Sequence, residues 1–245
     1  MSAPTTLQKS ETSARWSLGI YLGLMVYLVG VKVTLELGLV DVAVPSQETL
    51  FGWPVIGFIA LAGGLSVWLG PRTGLPYLWD TNSPPRKWLL LPVVVGLGLG
   101  VVNLIINGFT GHAKTWAEAA NVASINVPFP ESILFYSGGA IVVEALYRLI
   151  PLTLLLWLVA NVILRNSGHV PVFWVLALLT SLVEPTGQMS MAAGHLGVML
   201  VLGAAMFAMN LFEVLLFWRY GFLAPLVFRV AFYAVWHVVG GLMGL

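Results

Sequence analysis

The sequence predicts an all-α, polytopic transmembrane helix bundle of about seven to eight helices, several of them from runs long enough to span hydrocarbon. Hydrophobic residues make up 59% of the chain and charged residues only 9%, against roughly 25% charged in soluble domains. Mean hydropathy is +0.93, more apolar surface than a water-soluble core can absorb. Apolar runs recur along the whole chain, so a cleaved signal peptide does not account for them. Bilayer backbone must satisfy its own hydrogen bonds, and the alternating pattern of a barrel is missing, which leaves helices.

The runs cover residues 16–37, 50–70, 88–108, 132–164, 170–183, 193–218 and 222–245. Residues 1–15 read as a polar N-terminal tail, 16–131 as the N-terminal helices and loops, and 132–245 as a helical core. The fourth run is too long for one upright helix and contains Pro151, so tilt, a kink or a break into two helices is expected. The fifth is short. Its end at Glu184-Pro185-Thr186-Gly187 reads as a boundary or as a bend in a buried segment, and an eighth segment over 184–195 is the alternative to seven crossings. The stretch 110–131, with Trp116 and Phe129, reads either as an amphipathic interfacial segment or as an ordinary loop.

Under alternating crossings Lys9, Arg15, Arg72, Arg86, Lys87, Arg165 and Arg219 fall on one side, with Lys114 opposite. That asymmetry predicts an integral, multi-pass membrane protein with a cytoplasmic N-terminus. Cysteine is absent, which removes disulfides and thiolate chemistry. The net charge of +1 carries no nucleic-acid footprint, so the expected partner is the lipid bilayer.

Charges inside apolar helices are costly unless paired or hydrated. Glu144, Arg148, Glu184, Glu213, Arg229 and His237 all need an explanation. Glu144 and Arg148 are four residues apart, which predicts a direct ion pair on one helical face. Arg229, Tyr233 and His237 repeat that spacing on the last helix as one polar stripe. At ~1.5 Å per residue Glu144 lies roughly 18 Å from one membrane edge, and Arg229 and His237 roughly 24 and 12 Å from the C-terminal edge. The depths overlap, so a cluster joining the fourth and seventh runs is expected, with Glu184 approaching from the fifth. Glu213 reads as an inner-edge residue that pairs with Arg219 or snorkels. His112, His169 and His195 read as solvated, and His237 alone would pass for a helix-packing hydrogen bonder. The sequence offers no close ligand pair among Glu144, Glu184, His195 and His237, so neither a metal nor another cofactor is expected.

Val143-Glu144-Ala145-Leu146-Tyr147-Arg148, with Pro151 and a leucine-rich run to Trp157, resembles the first motif, Glu-Glu-x-x-x-Arg, of the CPBP family of CAAX-type intramembrane proteases. Ser181-Leu182 followed by Glu184 and Gln188 is similar to the second, Phe-x-x-x-His. Trp218-Arg219-Tyr220-Gly221 resembles the lead-in to the family's final helix, whose His-x-x-x-Asn/Asp motif falls on Arg229 and Tyr233. The resemblance covers roughly residues 138–245 and implies an endopeptidase in which Glu and His activate water while His with Asn or Asp holds the oxyanion. Those four positions are Val143, Gln188, Arg229 and Tyr233 here, and valine cannot take a proton. One reading is a divergent endopeptidase acting on a membrane-embedded or lipidated peptide. It uses Glu144 or Glu184 as base, Gln188 to orient water, Arg229 with Tyr233 as oxyanion donors, and His237 one turn on. Another is a catalytically inactive relative that binds a peptide, lipid or membrane protein. A third is a small-solute transporter, for which no inverted repeat is visible.

Overall fold

A computed structural model describes residues 6–40, 49–79, 83–119, 122, 124–189 and 196–245. Eight helices order these residues, and no strand occurs among them. They are α1 (Thr6–Glu36), α2 (Trp53–Thr73), α3 (Arg86–Thr110), α4 (His112–Ala119), α5 (Glu131–Ile163), α6 (His169–Met189), α7 (Leu196–Tyr220) and α8 (Leu223–Leu242). All but α4 are long and apolar enough to cross a membrane, and the chain is a multi-pass membrane helix bundle. Its outer surface is apolar, with Val26, Leu61 and Phe109 largely exposed, as a hydrocarbon solvent permits. α5 and α8 are the most enclosed helices, whereas α1 and α3 turn most of their surface outward.

Small residues set the closest approach. On α3, Gly96 and Gly100 face α8: a Cβ on Gly96 would collide with the Phe228 carbonyl, and one on Gly100 would lie 2.6 Å from Val235 Cβ. Such small-residue pairs let two backbones touch where lipid offers no hydrophobic drive for association. α1 is fastened to α2 differently. The Tyr21 hydroxyl donates to the Ile59 carbonyl at 2.5 Å, inside a widened π-turn over Ile59–Gly63.

α5 runs unbroken through Pro151, so of the tilt, kink or break expected there the break into two helices does not form. A π-turn over Ala145–Leu149 ends two residues before the proline. Wider winding makes room for a ring that clashes in a regular turn and offers no N–H. α6 likewise continues through Pro185 to Met189, so Glu184-Pro185 lies inside a helix and not at its end. Residues 190–195, the rest of the alternative eighth segment, lie outside the described residues.

The eighth helix is instead α4, in the 110–131 stretch. It is amphipathic: His112, Ala113 and Ala117 are buried, while Lys114 and Glu118 point outward and pair at 3.9 Å. At the opposite end, Asn161 donates to the Arg72 carbonyl at 3.1 Å and the Leu223 amide to the Leu78 carbonyl at 3.0 Å. Alternating crossings gather Arg15, Arg72, Arg86, Lys87, Arg165 and Arg219 at this end. Lys32 lies toward the other end, paired with Glu36 at 3.1 Å.

Candidate functional site

Four helices bring five charged side chains to one point in the bundle interior. Glu144 and Arg148 come from α5, Glu184 from α6, Glu213 from α7 and Arg229 from α8, none more than 6% exposed. Arg229 organises them. Its Nε donates to Glu144 Oε1 at 2.5 Å, Nη1 to Glu184 Oε1 at 2.9 Å and to the Tyr233 hydroxyl at 3.2 Å, and Nη2 to Glu184 Oε2 at 3.0 Å and Glu213 Oε2 at 2.7 Å. A guanidinium has five N–H donors. All five have an acceptor.

Arg148 closes the cluster from α5. It donates to Glu184 Oε2 at 3.2 Å and to Glu213 Oε2. The direct pair with Glu144 expected from the four-residue spacing is the longest contact, 3.6 Å to Oε1. The physical reason is the π-turn over Ala145–Leu149, which contains Arg148 and breaks the regular winding on which that spacing rule rests. Arg148 is thereby shared among carboxylates of α5, α6 and α7, while Arg229 ties α8 to all three.

Glu213 corrects the sequence expectation. It is neither at the membrane edge nor paired with Arg219; it is fully buried and accepts from both arginines through one oxygen. Its signal was Asn210, three residues earlier on the same face and also fully buried, which marks an inward polar stripe on α7.

The stripe on α8 divides. Tyr233 stays with Arg229, but another π-turn, over Ala234–Val239, carries His237 out of the cluster. His237 Nδ1 lies 2.8 Å from Asn126 Oδ1, and its ring stacks on Tyr136 at 4.1 Å between centroids. It is therefore not beside a carboxylate. Gln188 is placed by its backbone in α6, its side chain lying outside the described residues, as does His195. His169 is half-buried and lies 3.3 Å from Asn161 Oδ1.

His112 is not solvated. It is fully buried at the start of α4, its Nδ1 2.8 Å from Thr110 Oγ1 and its ring stacked on Trp236 at 5.0 Å. Removal from water pushes its pKa down to about 4.

Chemically the cluster presents three carboxylates that each accept from a guanidinium through at least one oxygen, and an Arg229 whose donors are all spent. No group of three or more His, Cys, Asp or Glu suited to a metal occurs among the described residues. Fold and site together define a multi-pass membrane helix bundle with a buried glutamate–arginine cluster at the junction of four helices. Comparison with protein-family models, curated proteins and solved structures gives no match for the chain.

Proposed function

We propose that this protein is a catalytically silent relative of the CPBP intramembrane proteases, with its N-terminus in the cytoplasm, that acts by binding a membrane-embedded or lipidated peptide or a membrane protein. The observation that carries this reading is the state of Glu184. Both of its oxygens accept from guanidinium groups, at 2.9, 3.0 and 3.2 Å, in a site 6% exposed. A general base needs a free lone pair within reach of water. Glu144, the other substitute base, is fully buried and its Oε1 accepts from Arg229. Arg229 has no N–H left for an oxyanion, and an oxyanion hole works through donors pre-aimed at empty space. The substitute bases Glu144 and Glu184 and the candidate oxyanion donor Arg229 thus support a tie between helices.

The test is cleavage of lipidated and membrane-spanning peptides by the purified protein in nanodiscs. No turnover above an Arg229→Gln, Glu184→Gln double variant is expected. Turnover in the native protein that disappears in Glu144→Gln or Glu184→Gln would overturn the reading and return the protein to the endopeptidases. The cytoplasmic N-terminus rests on the gathered cations and is checked by protease protection of an N-terminal epitope in sealed vesicles.

A further inference from the structure

The charges in the cluster do not balance. Glu144, Glu184 and Glu213 bring three negative charges and Arg148 and Arg229 two positive ones, so the fully ionised group carries −1 in a region shut off from water. Hydrocarbon strongly disfavours a net charge.

The acceptors show where the missing positive charge belongs. Glu184 uses both oxygens. Glu144 and Glu213 each use one, leaving Glu144 Oε2 and Glu213 Oε1 buried with no hydrogen-bond partner. Buried acceptors of this kind are rare in folded proteins and call for an explanation. The two engaged oxygens sit on neighbouring donors of one guanidinium, Nε and Nη2 of Arg229, which draws the two carboxyl groups to the same edge. Two carboxylates held so close do not both ionise readily.

We infer that Glu144 and Glu213 together form a binding site for a single proton, shared between the two carboxyl groups, which brings the cluster to neutrality. The proton supplies the missing charge and gives the unsatisfied oxygens a donor. A metal ion fits less well, because hard cations take six or more oxygens and the pair has two free, with two guanidiniums beside them. The other titratable or charged groups facing the pair are Arg148 and Tyr147 from α5, Glu184 from α6, and Arg229 and Tyr233 from α8. Tyr136 and His237 lie beyond Tyr233. The inference goes beyond the proposed loss of proteolysis and does not depend on it.

Infrared spectroscopy of the full chain in nanodiscs tests it. At neutral pH the wild type is expected to show the C=O stretch of a protonated carboxyl group, shifting on transfer to D2O. The band is expected to persist in Arg148→Lys, which keeps the charge count, and to vanish in both Glu144→Gln and Glu213→Gln, which each remove the surplus charge. A folded wild type without the band overturns the proposal, with or without stabilisation by sodium or potassium, and stabilisation would assign the site to a metal cation. A band unchanged in both glutamine variants also overturns it. Because the wild-type spectrum is decisive alone, a variant that fails to fold leaves the test intact.

Discussion

Arg229 grips Glu184 across 45 residues of chain with both terminal nitrogens, at 2.9 and 3.0 Å to separate carboxylate oxygens. This planar fork joins α8 to α6, and the remaining donors of the same group reach α5 and α7. Charge and shape both matter, since a lysine ammonium has one nitrogen and three N–H donors and cannot serve five acceptors around a plane. Arg229→Lys is therefore expected to destabilise almost as much as Arg229→Gln, by about 3–5 kcal/mol, the usual loss when one partner of a buried ion pair goes. Reversible denaturation in mixed micelles measures it; an Arg229→Lys variant of native stability would show that charge alone suffices.

The three glutamates are not equivalent. In Glu213→Gln or Glu144→Gln the amide oxygen can keep the arginine contacts, while the NH2 takes the place of the oxygen that has no partner. A loss within about 1.5 kcal/mol is expected, the scale of a single net hydrogen bond. Glu184→Gln has no such orientation, because either placement points an NH2 at a guanidinium N–H. Its cost should approach about 3–5 kcal/mol. The same denaturation series ranks the three, and equal losses would refute the distinction.

The α3–α8 contact predicts a sharp positional contrast. Gly100→Leu must push α8 away at Val235 and is expected to cost at least about 1–3 kcal/mol. Gly98→Ala on the same helix meets nothing within 4 Å and should lose no stability. Melting of the two purified variants in one detergent compares them directly.

Acidification should loosen α4 before the bundle. His112 titrates near 4 in the folded chain against an ordinary value of 6.5, so the unfolded form binds more protons between those values. Its contribution to stability is complete above about pH 6.5 and is lost as pH falls toward 4. Amide exchange over 112–119 between pH 7 and pH 4 reads the effect, with His112→Phe expected to remove most of the pH dependence. Unchanged protection at pH 4 would contradict it.

Much of this architecture was legible because a bilayer imposes a length and a solvent at once. Seven apolar runs became seven helices long and apolar enough to cross, the short fifth run extending over His169–Gly187, and Glu144, Arg148, Glu184, Glu213 and Arg229 stood out as charges where hydrocarbon tolerates few. The meeting of Glu144 with Arg229 followed from depth. Glu213 escaped it for a physical reason: its closeness to Trp218 and Arg219 suggested an edge position. The Glu144–Arg148 pair that four-residue spacing allows does form, at 3.6 Å, and His237 does pack through a hydrogen bond, to Asn126. What failed is the single stripe of Arg229, Tyr233 and His237, which relied on regular winding, and periodicity in sequence carries no sign of where a helix widens.

The widened turn over Ala145–Leu149 makes the spacing of α5 as consequential as its chemistry. Each residue of an ordinary helix advances the azimuth by about 100°. Deleting one residue there would restore regular pitch and rotate one flank of α5 against the other, parting Glu144 from the side chains beyond the turn though every charged group survived. A one-residue deletion at that place should thus injure the junction more than a conservative replacement of any residue within it.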